Sequence, residues 1–237
     1  MKTITTRIQI VALVTAGFLT IPAVHAQSPN IDFETGTFSG WQGETGYCCP
    51  ITTSPSGIVV GQHTILTGSG YDTNALDSIS GAAEIPFVYP LSGNMYSVRL
   101  GNSLVGAQAE QLSYSYTVTP SDTVLTYHYA VVLQSGGHPP SAESRFEVHF
   151  YDALGGSIPG GDYITHGGYD PTLKSSQISS WIKYKTWTTT SVNLASYVGQ
   201  TITIKFVVFK FHLITLIFFQ FHHAMGTFWA LKNFKKF

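Results

Sequence analysis

Ionic side chains are scarce in this 237-residue chain, with 12 Lys and Arg against 13 Asp and Glu, so the few that sit close together are where chemistry is sought. Arg145 and Glu147 lie two apart in RFEVHFY, and Arg99 stands just before Leu-Gly-Asn. A guanidinium group makes planar, directional hydrogen bonds to sugar hydroxyls or carboxylates. Arg99, Arg145 and Glu147, with Glu110, therefore form either a polar ligand-binding surface or a cross-strand ion pair on a wet sheet face, which would contribute little to stability. His138, in GGHPP, is the histidine best placed to touch a ligand; the alternative is a turn residue bonded to its own backbone. Trp181 sits in a glycine-free loop beside Lys183 and Lys185 and is the aromatic expected to be exposed. Asp32 and Glu34, two apart on an expected first strand, would share a face.

Other chemistries lack their signatures. His63, His128, His138, His149 and His166 fall at no metal-ligand spacing, and there is no HExxH. There is no G-x-S-x-G elbow and no recognisable glycosidase carboxylate pair, so a non-enzymatic binding or adhesion role is expected, the alternatives being an accessory module of a glycan-degrading enzyme or a structural spacer. Charged residues make up 11% of the chain and the net charge is −1, with no basic stripe before the carboxy-terminal segment, which argues against nucleic acid.

The elements that must carry these residues show period-two alternation. In QLSYSYTV, Leu112, Tyr114, Tyr116 and Val118 fall on one face and Ser113, Ser115 and Thr117 on the other. In RFEVHFY, Phe146, Val148 and Phe150 alternate with Arg145, Glu147 and His149. Further strands are expected at 95–100, 124–133, 186–194 and 201–208, with a turn at 119–122 and no useful amphipathic helix. The segments 40–92, 134–143 and 155–180 read as long connections able to carry binding. Tyr114, Tyr116, Tyr127 and Tyr129 share faces with aliphatic residues and are expected in the core with satisfied hydroxyls.

Lys2 and Arg7, the apolar run 8–21 and the small residues ending at Ala26 have the three parts of a secretory signal, so a mature chain is expected from Gln27; the alternative is a short membrane anchor. The rest suits one sandwich-sized domain, secreted or on the outer cell surface. Cys48 and Cys49 are neighbours, and because a bridge between adjacent cysteines is rare, both are expected free or paired elsewhere.

The segment NIDFETGTFSGW at 30–41 resembles the first strand of galactose-binding-like and carbohydrate-binding jelly rolls. The runs HTILTGSGYD at 63–72, YSVRLGNSLVGAQAEQLSYSYTV at 96–118, YHYAVVLQSGGHPPSAESRFEVHFYD at 127–152 and KTWTTTSVNLASYVGQTITIKF at 185–206 resemble the amino-terminal jelly-roll module of large secreted surface proteins of Bacteroidota, the kind with PKD repeats and a gliding-motility or type IX secretion domain. The resemblance implies an exported, multidomain, adhesive protein with glycan or cell-surface ligands and covalently linked downstream domains. It also implies a calcium ion where first and last strands meet; only Glu34 matches that motif, and a solvated strand face or turn cap is the alternative for Asp32 and Glu34.

After the TITIKF strand, the family pattern continues with an acidic, cysteine-containing step and a GGHxGYAY strand, which this chain replaces with a Phe- and Lys-rich segment. All acidic residues lie at or before Asp170. The leading expectation is a frameshifted or prematurely ended tail at 209–237, against a genuine buried or disordered tail or a weak anchor. Lys210, His212 and Gln220 interrupt any membrane span. The fold class expected is thus an all-β jelly-roll (galactose-binding-like) β-sandwich over 27–208, lacking its closing strand.

Overall fold

The computed structural model describes residues 30–104, 106–210 and 215–222. The expected signal segment, 1–26, and residues 223–237 lie outside them. Two six-stranded antiparallel sheets pack face to face. The first has the order β2 (Thr52–Pro55), β1 (Gln42–Tyr47), β5 (Gln108–Thr117), β11 (Thr201–Phe209), β7 (Arg145–Tyr151) and β8 (Tyr163–His166). The second runs β3 (His63–Thr67), β4 (Tyr96–Leu100), β12 (Thr215–His222), β6 (Val124–Gln134), β10 (Ile182–Asn193) and β9 (Lys174–Ser175). The all-β sandwich expected from the alternation is the observed fold. The one helical turn among the described residues is the short 3-10 turn Ala195–Tyr197, and no helix among them is long and apolar enough to cross a membrane.

The alternation dictates the core. Leu112 and Tyr114 of β5, Ile204 and Phe206 of β11, and Phe146 and Phe150 of β7 face inward from one sheet. Tyr127, Tyr129 and Val131 of β6, Val98 of β4, and Phe219 and Phe221 of β12 face them from the other. Fully burying one such ring stabilises by about 1.5–3 kcal/mol, and favourable ring pairs add about 0.5–1.5 kcal/mol. The four strand tyrosines are buried as expected. Contrary to expectation, the Tyr116 hydroxyl, buried on the inner face, has no hydrogen-bond partner among the described residues.

Several expectations are corrected. Residues 30–41 form turns, not a first strand: Asn30 and Phe33 take positive φ of 69° and 64°. The Asn30 side chain stands in for backbone, donating to the carbonyls of Thr37 and Ser39 and accepting from Thr35 N. This knot drops Trp41 into the core, where it stacks on Phe33 at 4.5 Å and donates from Nε1 to Asn30 O at 3.1 Å. The connection 40–92 contains β1, β2 and β3, and 155–180 contains β8 and β9. Cys48 and Cys49 are bonded to each other.

The largest correction concerns the closing strand. The slot between β4 and β6 is filled by β12, which pairs Ile217 with Leu100 and Val131, and Phe219 with Val98 and Tyr129. The sandwich therefore runs past residue 208, into the segment read as an aberrant tail. Lys210, on the same stretch, is fully buried with Nζ 3.5 Å from the buried carboxylate of Glu110. Burial pushes Glu110 up and Lys210 down, and each charge opposes the shift of the other.

The outer face of the second sheet is covered. Residues 68–94 fold back over it, laying Ala75, Ile85 and Phe87 on Ala130, Val132, Tyr184 and Trp187, while Trp187 Nε1 donates to Pro86 O at 2.9 Å. The outer face of the first sheet carries Arg145, Glu147 and His149 of β7 and the half-exposed Ile164 of β8.

A chain ended after Lys210 should lose the cooperative thermal transition shown by a chain ended after His222, because removing β12 leaves β4 and β6 with unpaired edges and strips Phe206 of its partner ring. Equal midpoints would show that β12 adds no stability. Phe206→Ala should cost about 3–5 kcal/mol in urea unfolding.

Candidate functional site

The strand β7 points Arg145, Glu147 and His149 outward because Phe146, Val148 and Phe150 occupy the core side. Their register against β8 pairs Arg145 with His166 and Glu147 with Ile164. The tip of the β1–β2 hairpin, Cys49, Pro50 and Ile51, and the loop residues Pro140 and Ser141 rise beside this pair. Together they bound an open cleft of about 590 Å³ whose floor holds Arg145, Glu147, Ile164 and His166.

Charges on the floor are ordered in a line. Arg145 Nε donates to Glu147 Oε1 and Nη1 donates to Ser141 O at 3.0 Å. The second Glu147 oxygen lies 3.0 Å from His149 Nε2, and His149 Nδ1 lies 3.3 Å from Asp162 Oδ1. Asp162 in turn accepts from Ser157 Oγ at 2.7 Å. Arg145 also lies over the ring of Phe209, its Cζ 5.6 Å from the centroid. The guanidinium is thereby held on three sides, with Nη2 making no hydrogen bond among the described residues.

Titration follows from these contacts. Burial pushes Glu147 up, but hydrogen bonds from His149 and Arg145 outweigh it and hold the carboxyl below its ordinary range. His149 is raised, chiefly by its bond to Glu147 and against the effect of burial. His166 is lowered by burial and by the positive charge of Arg145. The floor thus carries the Arg145 cation bonded to Glu147, with His166 beside Arg145, and His149 outside the cleft bonded to the far oxygen of Glu147.

The loop 134–143 is pinned by Glu143, which is fully buried and accepts from Gly136 N at 2.8 Å and His138 N at 3.0 Å. The His138 carbonyl accepts from Tyr169 Oη at 2.6 Å, and Tyr169 meets His166 edge-on. Trp181 is 56% exposed, as its loop suggested. Its carbonyl accepts from Ser135 N, so it stands beside the same loop. Of the residues singled out in the sequence, Arg145 and Glu147 share the cleft, and His138 and Trp181 flank it through the 134–143 loop.

Arg99 is elsewhere. It lies on the outer face of the second sheet, where burial lowers it and the nearby buried Asp72 opposes that shift. Its Nε is buried without a hydrogen-bond partner among the described residues. Asp32 and Glu34 do not share a strand face, since both lie in turns: Asp32 Oδ1 accepts from Glu34 N, and both Glu34 oxygens accept from Met95 N. Among the described residues no group of three or more His, Cys, Asp or Glu converges on a point. The sequence reading missed His166, Ile164 and the Cys49–Ile51 wall as cleft residues; Pro50, directly after the cysteines, is the local signal that marks a turn there.

No family model and no curated protein matches this chain. Among solved structures, a carbohydrate-binding module, TmCBM61, in complex with β-1,4-galactotriose aligns at 12% identity and a TM-score of 0.39, over 82% of this chain and 96% of that one. Carbohydrate-binding modules of the β-sandwich superfamily with promiscuous specificity align at 11% identity and a TM-score of 0.33, over 80% and 58%. A cleaved adhesin domain of Lys-gingipain from Porphyromonas gingivalis aligns at 12% identity and a TM-score of 0.32, over 68% and 88%. At identities and scores this low, no ligand or site transfers from them to this chain.

His149, raised in the fold, stabilises below its unfolded value of about 6.5, and that contribution is lost as pH rises through the folded value. Glu147, lowered in the fold, stabilises above about 4.3 and loses that contribution as pH falls through its folded value. Imidazole NMR should therefore find His149 titrating above 6.5 and His166 below it, with Glu147→Gln moving His149 back down. A His149 that titrates unchanged in E147Q would contradict the pairing.

Proposed function

We propose that this chain is an exported, non-catalytic binding or adhesion module whose ligand is a glycan held in the Arg145 cleft. The observation that carries the proposal is a guanidinium fixed by Glu147, Ser141 and Phe209 on a cleft floor, with Nη2 making no hydrogen bond among the described residues, Ile164 beside it and apolar walls from Pro50, Ile51 and Pro140. Such a floor suits a sugar ring: apolar walls take the C–H face, and the guanidinium takes hydroxyls or a carboxylate. An acidic sugar gains most, because Arg145 supplies a charge-assisted hydrogen bond. Tyr169 and Trp181, both exposed beside the pinned loop, extend the surface for further rings.

Export rests on the amino-terminal signal pattern. Attachment to further domains of a surface protein of the Bacteroidota kind rests on the sequence resemblance. Arg99 is assigned a structural role, as the counter-charge to buried Asp72.

Titration with oligogalacturonate as an acidic probe tests the site. Arg145→Ala should weaken binding at least about tenfold, the 1.4 kcal/mol scale of one lost charge-assisted hydrogen bond. Arg99→Ala should leave affinity unchanged while lowering stability by about 1–3 kcal/mol. Unchanged affinity in R145A would place the ligand elsewhere.

A further inference from the structure

One wall of the Arg145 cleft is cross-linked. Residues 48–51 form the tip of the β1–β2 hairpin, held at its base by the pairing of Tyr47 with Thr52. Cys48 is anchored, its N donating to Ala107 O at 2.8 Å, whereas Cys49 and Pro50 are exposed and line the cleft. Cys48 and Cys49 are the only cysteines in the chain, and they are bonded to each other.

A bridge between adjacent residues closes the shortest loop that a disulfide can close. In the chain-entropy account its restriction of the unfolded chain is therefore at its smallest, so stability gives this pair little reason to exist. Its local effect is different. It ties two side chains into one ring beside Pro50, whose φ is already fixed, and so stiffens the wall. The ring also meets the group that orients the cation. Cys49 Sγ lies 3.6 Å from Ser141 O, the carbonyl that accepts from Arg145 Nη1 at 3.0 Å.

We infer that the Cys48–Cys49 bridge is a thiol-sensitive positioning element of the Arg145 site, which binds ligand more tightly with the bridge closed than after a low-molecular-weight thiol has opened it. The inference rests on the glycan-binding reading and adds regulation to that same site. The exposed Cys49 sulfur is the point of attack. A thiolate of the reductant forms a bond to Cys49 Sγ as the S–S bond breaks, and Cys48 leaves as a thiolate that takes up a proton. A second thiolate then displaces Cys49 from the mixed disulfide, so two external thiols are oxidised to one disulfide and the protein gains two thiols. Opening has two consequences for the cleft. Cys48 and Cys49 regain rotamer freedom that a ligand must remove on binding. Cys49 also acquires an S–H donor within reach of Ser141 O, where it competes with Arg145 Nη1.

The test is calorimetric titration with oligogalacturonate before and after treatment with dithiothreitol, with mass spectrometry confirming the gain of two hydrogens and NMR following the Arg145 Nε–H resonance. Reduction should weaken binding at least about fivefold, the scale of re-ordering a few side chains at an interface. It should also move the Arg145 resonance in the absence of ligand, leave the thermal midpoint unchanged, and reverse on reoxidation. A double variant, Cys48→Ser with Cys49→Ser, should bind as weakly as the reduced protein and ignore the reductant. Equal affinity in the two redox states overturns the inference and leaves the glycan-binding reading standing. Weaker binding accompanied by a lower thermal midpoint also overturns it, because the bridge then acts as a stabiliser of the fold. If the oxidised protein binds no acidic glycan, the ligand reading fails and the Arg145 resonance decides alone: a shift on reduction keeps the bridge coupled to Arg145, and no shift removes it.

Discussion

The contact on which the rest of the molecule depends is the stack of Phe206 on Phe219, with centroids 4.2 Å apart and planes 8° from parallel. Phe206 belongs to the first sheet and Phe219 to β12 of the second, so one ring pair joins the layers at their centre. The strand β12 is also the only hydrogen-bonded link between the β3–β4 pair and the remainder of its sheet among the described residues. Without it, β4 would lose its neighbour and the turn knot at 30–41 would lose part of its floor, since Phe33 meets Phe219 edge-on at 5.4 Å. The buried Lys210–Glu110 pair anchors the chain just before this strand. An unpaired buried charge is far more costly than a paired one, which makes that anchor specific to one register.

Once both sheets are complete, the two outer faces diverge in role. The excursion 68–94 seals one of them with its own small core and keeps Asp72 and Arg99 beneath it. The other face keeps a row of ionic residues on β7, whose inward neighbours are all apolar. Strand geometry alone thus sends Arg145, Glu147 and His149 to the same side, and the hairpin tip and the 134–143 loop give that side depth. The line from Arg145 through Glu147 and His149 to Asp162 is rigid because every carboxylate in it has at least one partner on the protein.

Much of this was legible from alternation. β5, β6, β7, β10 and β11 carry apolar residues on one face and polar ones on the other, so their existence and the outward direction of Arg145 and Glu147 follow from the sequence. The strands β1 and β2 were hidden because their positions are filled by Gly43, Thr45, Gly46 and Thr52–Ser54, which give no hydrophobic period. Gly46 is required by the close approach of Thr52 O, 1.8 Å from where a Cβ would stand, so the pairing itself removes the side chain that would have signalled it. β12 was hidden for the opposite reason. A strand between two others in a covered sheet reads as a continuous apolar run, and LIFF at 216–219 does so. The site was half legible: residue types and face could be read, but the partners His166, Ile164 and Cys49–Ile51 depend on long-range register that no local pattern encodes.

The central claim is that ligand meets the open face of the first sheet at Arg145. Its most direct test is an amide NMR titration of the isotopically labelled protein with an acidic tetrasaccharide. The account predicts shifts clustered at Ile51, Ser141, Arg145, Glu147 and His166, with the 68–94 excursion unmoved. Shifts confined to that excursion, or none at a ligand excess that saturates other acidic-glycan binders, would contradict it.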